Sequence, residues 1–364
     1  IYYVEDGLNA KCWVMKIEDE ADREKIIVRS DGTVTYVGKD IAYQLWKFGL
    51  LEKDFYYEPF LKDDGRTIWI STAAPNKNAQ SFGKASRVYN VIDTRQSYLQ
   101  KVVVQGLRAL QFSAQADKSI HFSYEMVALS PESLKELNLE AGPQNAGKSF
   151  VEVSGRKGLG VKADDLLDRL EEKSLAEVEK RNPGLSADQK KRTAAQIACG
   201  ALRYFMLKYA RNSLIIFDFG DALSFEGETG PYLQYSSVRL NSIFRKMEER
   251  EGKKAADLEK LGTGAEMRFE SLSQEELADL WDVVSYASRF EEEVLHSIQS
   301  LEFSHLAKFT FNLCQKFNGY YHKYPVLAEE NSDLKSIRIM VILYVREVLA
   351  RSLDLMGIPV PERM

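Results

Sequence analysis

The chain has 364 residues, of which 45% are hydrophobic, so it can bury a sizeable core and form more than one domain. Eighteen tyrosines, eighteen phenylalanines and four tryptophans exclude a disordered chain, and a formal net charge of −5 excludes a uniformly basic nucleic-acid coat. A local basic face for RNA remains compatible with that charge.

In chain order, residues 25–29 (KIIVR) read as a short strand, followed by the turn Asp31-Gly32. Residues 33–37 (TVTYV) are β-rich, and Gly38 is expected to break them. Ile41, Leu45 and Phe48 then show helical spacing. Residues 54–84 read as a β-containing insertion with a strand over 67–72 (TIWIST). A strand over 87–92, a helix over 96–110 and a strand over 121–126 follow, and this alternation predicts an α/β sheet. The texture changes near Lys162. Residues 163–180 form a charged helix, and amphipathic helices follow over 188–209, 230–250, 274–302, 303–321 and 334–355. Pro183, Gly227, Gly264 and Pro325 punctuate them. The run at 248–254 (EEREGKK) reads as a solvated helix end or loop.

The apolar runs at 213–219 and 337–345 are interrupted by polar residues and are too short to span a bilayer. No signal peptide opens the chain. Cys12, Cys199 and Cys314 have no C-x-x-C spacing, so they read as free thiols in a reducing compartment, with no metal site. His121, His296, His305 and His322 share no spacing and read as ordinary core or surface residues.

Four segments could carry chemistry. In DGTVTYVGKD, Tyr36 and Asp40 lie four apart. A planar guanidinium suits a carboxylate with an aromatic wall, but Asp40 can equally be a helix cap and Tyr36 a core residue. In VIDTRQ, a strand ending places Asp93, Arg95 and Gln96 at the carboxyl edge of a sheet, where α/β proteins bind ligands; the alternative is a plain connecting loop. In SGRKGLG, glycines flank Arg156 and Lys157 in a basic loop able to neutralise phosphates, or simply a surface turn. In GPYLQYSSVR, Tyr232 and Tyr235 share a helix face with Arg239 one turn on, a pattern that fits either base stacking or interhelical packing.

Together these segments resemble arginyl-tRNA synthetases. DGTVTYVGKDIAY, VIDTRQ, SGRKGLGVKADDLLD, RNSLIIFDFGDALSFEGETGPYLQYSSVR and VREVLARSLDLMGIPVPERM are similar to family segments, in the family's order, along nearly the whole chain. The resemblance implies an α/β plus all-α protein: the C-terminal part of a Rossmann-like class I catalytic domain (1–170), then a helical-bundle anticodon-binding domain (171–364). It implies ATP-dependent activation of L-arginine and transfer to the 3′ end of tRNA for arginine, with Mg2+ as the ATP counter-ion. The alternative reading is a non-catalytic tRNA-binding module. Tyr36, Asp40 and Gln96 would hold arginine. Met126, Val127 and Gly155 would bind ATP, with Arg156 and Lys157 acting catalytically on its phosphates. Tyr232, Tyr235, Arg239, Asn212 and Met364 would contact tRNA. A cytoplasmic monomer is expected. Two departures stand out: no His-x-Gly-His occurs, and the family's N-terminal tRNA-elbow domain is missing; SGRKG, which lacks the first lysine and the methionine of the class I KMSKS signature, is a variant of that loop. With Ile1 lying inside structured sequence, the two missing segments imply a fragment that is inactive alone.

Overall fold

The structure, a computed structural model, describes residues 1–17, 24–51, 53–76, 79–139, 147–152, 161–252 and 269–364. The chain forms two compact units, Ile1–Tyr124 and Glu125–Met364.

The first unit opens with β1 (Tyr2–Tyr3), β2 (Trp13–Lys16) and β3 (Glu24–Val28), an antiparallel sheet in that order. α1 (Tyr36–Lys47) follows directly. The expected strand over 33–37 is therefore corrected to a single bridge, Val28 to Val34, and a helix start. Thr35 decides the change. Its hydroxyl accepts the Gly38 N–H at 3.3 Å and donates to the Ile26 carbonyl at 2.8 Å, capping α1 while tying it to β3. Gly38 does not break the chain but lies inside the helix. A Cβ there would sit 2.7 Å from both the Ile27 oxygen and the Val34 Cγ1, so glycine permits the close approach of α1 to β3. Asp40 is the fifth helical residue, so it is neither the cap nor in the first turn.

β4 (Tyr56–Asp63) and β5 (Arg66–Thr72) form an antiparallel hairpin. Asp64 and Gly65 turn it with φ of 47° and 78°, the left-handed pair a two-residue hairpin favours. β6 (Val88–Asp93) leads through one 3₁₀ turn, Thr94–Gln96, into α2 (Ser97–Ala109), α3 (Ser113–Ala116) and β7 (Ser119–Tyr124). β6 and β7 pair in parallel, from Val88 opposite Ser119 to Asp93 opposite Tyr124, with α2 as the crossover. Met15, Ile27, Ile41, Val102 and Val103 join β2, β3, α1 and α2 in one core.

The second unit contains β8 (Val127–Leu129), α4 (Pro131–Glu136), β9 (Val151–Glu152), α5 (Ala163–Arg181), α6 (Ala187–Leu207), β10 (Ile215–Phe217) and α7 (Phe219–Leu223). β8 is central, parallel to β10 and antiparallel to β9. Phe217 and Phe219 pack with Leu166, Leu170 and Phe205 from α5 and α6. α8 (Gly230–Glu251) is capped by Thr229 and carries Pro231 in its first turn. It crosses α6 with backbones in contact: a Cβ on Gly230 would lie 2.2 Å from the Gly200 oxygen.

The remaining helices are α9 (Gln274–Ser288), α10 (Phe290–Ser300), α11 (Ser304–Lys323) and α12 (Ser332–Leu355). The single helix expected over 274–302 is corrected to α9 and α10. At Arg289 the N–H bonds the Tyr286 oxygen three residues back, a local tightening that interrupts the α-helical ladder. The charged run after Met247 is an exposed helix end closed by Gly252 at φ 67°; its last residues, 253 and 254, and Gly264 lie outside the described residues. The core of α8–α12 is large and apolar, with Leu240, Phe309, Phe317, Ile342 and Leu349 buried. No helix among the described residues is long and apolar enough to cross a membrane.

Candidate functional site

A cavity of about 260 Å³ opens in the first unit between α1, β6 and α2. Asp40 and Gln96 both line it. Gln96 arrives there because β6 ends at Asp93 and the 3₁₀ turn swings the next three residues over the sheet edge. Neither Asp40 nor Gln96 uses its side chain in a hydrogen bond or ion pair with a described residue. The buried amides Gln44, Asn90 and Gln100 complete a polar wall. Burial raises the Asp40 carboxyl above the usual range, and the positive charge of Lys47 opposes that rise. Burial in turn lowers the Lys47 ammonium, and Asp40 opposes it. Such a cavity offers one carboxylate and several amide oxygens, a set of acceptors matching a planar multi-donor cation.

Tyr36 is elsewhere. It begins α1, is 85% exposed, lies under Lys39 at 5.8 Å, and is not among the residues lining the cavity. Asp93 and Arg95 engage each other, with the guanidinium at 2.9 and 2.7 Å from the two carboxylate oxygens. That bonding, helped by the Arg95 backbone N–H, holds the Asp93 carboxyl down to about 2. A larger cavity, about 440 Å³, lies against α2 with Lys101, Arg108 and His121 in its wall. None of the expected site residues lines it.

In the second unit, Met126 immediately precedes β8 and exposed Val127 begins it. Gly155, Arg156 and Lys157 lie outside the described residues. Tyr232 and Tyr235 diverge despite their shared helix. The Tyr232 ring packs on Phe311 at 5.5 Å, and its hydroxyl accepts the Asn318 amide at 3.1 Å. Tyr235 is exposed and carries the Arg239 guanidinium over its ring at 5.0 Å. Arg239 also donates to the Tyr235 hydroxyl at 3.2 Å and to the Asn318 oxygen at 2.9 Å. Asn318 on α11 thus holds Tyr232 and Arg239 directly, and Tyr235 through Arg239.

Tyr235, Arg239 and Met364 line one groove of about 300 Å³, together with Lys246, Tyr321 and Leu327. No described lining residue is acidic. Cations beside exposed rings fit phosphates and unpaired bases. Tyr232 and Asn212 are not in its wall; exposed Asn212 lies in the turn before β10.

Sequence reasoning missed Lys47, Asn90, Tyr321 and Asn318. One signal was available: Asp40, Tyr43, Gln44 and Lys47 follow the i, i+3, i+4, i+7 spacing of a single helix face.

Two families of known domains match parts of the chain. "tRNA synthetases class I (R), catalytic domain" matches residues 59–219, and "DALR anticodon binding domain" matches residues 233–364. The arginine–tRNA ligase of Thermococcus sibiricus is 31% identical over 100% of this chain and 53% of its own length. That of Thermococcus kodakarensis is 35% identical over 93% of this chain and 49% of its own. The solved structure of Thermus thermophilus arginyl-tRNA synthetase superposes with a TM-score of 0.80 at 29% identity, covering 100% of this chain and 55% of that one. The fold is therefore a class I synthetase catalytic domain joined to a helical DALR anticodon-binding domain. The chain belongs to the arginyl-tRNA synthetase family, and it spans about half the length of the relatives it matches. The catalytic-domain match over 59–219 disfavours the alternative of a helical tRNA-binding module alone.

Proposed function

We propose that this chain is the arginine-selecting and anticodon-reading portion of an arginine–tRNA ligase, which activates L-arginine with ATP and transfers it to the 3′ end of tRNA for arginine. The observation that carries this reading is the free Asp40 carboxylate, facing an amide-lined cavity in a chain matched by both synthetase domains. Asp40 takes the guanidinium by charge-assisted hydrogen bonds, the Gln96 side-chain oxygen accepts a further N–H, and Tyr36 flanks the mouth. Met126 and Val127 contact ATP. Gly155, Arg156 and Lys157 cover its phosphates and stabilise the charge that develops as the arginine carboxylate attacks, with Mg2+ as counter-ion. Tyr235, Arg239 and Met364 meet the anticodon in the α8 groove, with Tyr232 and Asn212 in supporting contact. The functional border stays at 170/171, within helix α5, and the protein is a cytoplasmic monomer.

The test is binding of the chain to arginine tRNA beside the same tRNA with its central anticodon base changed, at one near-physiological salt concentration. A clear loss with the changed base supports anticodon reading by the groove. Equal binding of the two would mean electrostatic attraction alone and would remove the anticodon roles.

A further inference from the structure

The cavity beside Asp40 has a mouth and an inner end, and the inner end holds a fixed cation. Asp40 and Gln96 at the mouth are exposed, whereas Gln44, Asn90 and Gln100 are 2%, 7% and 8% exposed. Along α1, Lys47 lies two turns beyond Asp40 on the same face, about 10 Å down the helix axis. Along β6, Asn90 lies three residues before Asp93, again about 10 Å in from the carboxyl edge. The two distances meet, since the Lys47 ammonium donates to the Asn90 side-chain oxygen at 2.8 Å. One turn earlier, Gln44 donates to Ser119, which pairs with Val88 at the start of β6. The Tyr43 ring lies 4.6 Å from the same ammonium and holds it from a second side. No ion pair joins Lys47 to Asp40 although both line the cavity, so both charges face whatever enters it.

We propose that Lys47 is a specificity-determining residue, a positive floor that stops the cationic head of an incoming amino acid level with Asp40 and so sets the length of side chain admitted. This rests on the reading of the cavity as the arginine site. A guanidinium at the mouth is drawn to Asp40 and meets Lys47 only at a distance. A longer cationic chain carries its charge toward the floor, where repulsion rises steeply. From about 10 Å, at an effective dielectric of about 20, carrying the charge one methylene (about 1.3 Å) closer costs about 1.5-fold in affinity through this repulsion. The same floor helps balance the charge of the empty cavity, because Asp40 would otherwise be a partly desolvated carboxylate without the opposing Lys47 charge. A purely steric floor predicts a different response. Methionine has almost the length of lysine and no charge, so Lys47→Met keeps the bulk and removes the repulsion.

The experiment is calorimetric titration of L-arginine and L-homoarginine into the chain and into its Asp40→Asn, Lys47→Met, Lys47→Gln and Lys47→Arg variants. The expected result is Asp40-dependent binding of arginine, with the homoarginine-to-arginine affinity ratio raised about 1.5-fold or more in Lys47→Met and unchanged in Lys47→Arg. Lys47→Gln keeps an amide for Asn90 and serves as the neutral variant should the methionine protein not fold. An unchanged ratio in a folded neutral variant overturns the role of Lys47 and leaves the arginine site standing. Equal arginine binding by the unsubstituted chain and Asp40→Asn overturns the arginine reading, and the floor falls with it.

Discussion

Replacing Arg338 by methionine should destabilise the helical unit more than any exposed charge replacement, and the structure allows the size to be worked out. Arg338 on α12 is 7% exposed and Glu276 on α9 is 4% exposed. Two guanidinium nitrogens reach the two Glu276 oxygens at 2.6 and 3.0 Å. A third bonds Glu329 at 2.7 Å and the Pro325 oxygen at 3.3 Å. Methionine fills most of the stem volume but leaves Glu276 as a buried carboxylate with no cation, a loss of about 3–5 kcal/mol. Replacing Glu276 by leucine as well removes the orphaned charge. The double variant should therefore recover at least about 2 kcal/mol relative to the sum of the two single effects. Urea denaturation followed by circular dichroism of the helices gives all three numbers. A loss under about 1 kcal/mol for Arg338→Met, or strict additivity in the double variant, would refute the argument that the pair is a desolvated unit. There is a functional corollary. Arg338 holds Pro325 and Glu329 on either side of Leu327, which lines the α8 groove, so the variant should also lose discrimination between tRNAs differing in the anticodon.

Gly38→Ala should cost about 1–3 kcal/mol in thermal or urea unfolding, because the new methyl would meet the Ile27 oxygen and Val34 at 2.7 Å; a neutral result would mean that α1 and β3 separate freely. Tyr235→Ala should weaken tRNA binding by about 1–3 kcal/mol, the worth of one stacked base, whereas Tyr232→Phe, which loses only an internal hydrogen bond to Asn318, should leave it nearly unchanged in filter binding. Arginine binding requires an ionised Asp40, whose carboxyl burial raises above the usual range. As pH falls, protonation of Asp40 therefore begins at a higher pH than for an exposed aspartate, and calorimetry from pH 7 downward should show affinity lost that early. Lys47→Met removes the charge that opposes the rise, so the loss should move to still higher pH.

How much of this was legible in the residues depends on whether the deciding interaction was local. The parallel β6–α2–β7 unit follows from apolar runs and helical spacing alone, because β6 alternates buried and exposed residues, α2 buries one face, and the crossover length leaves little choice. Residues 33–38 misled for the opposite reason. Their β-rich composition is real, but Thr35 meets the Ile26 carbonyl nine residues back, and that contact turns the chain into a helix earlier than propensity predicts. Gly38 carries a tertiary constraint, the approach of β3, that looks in sequence like a breaker. The same distinction runs through the site. Asp40 and Gln96 could be paired from motif order, and the structure places both on one cavity. Lys47 became visible only when Asn90, 43 residues away, fixed its ammonium. Tyr232 and Tyr235 show the limit of helical spacing: residues three apart share a face, yet Asn318 and Phe311 draw one ring inward, while the other stays outside under Arg239. Spacing fixes which side chains are neighbours, but only the packing partner on the next helix decides which of them is left for a ligand.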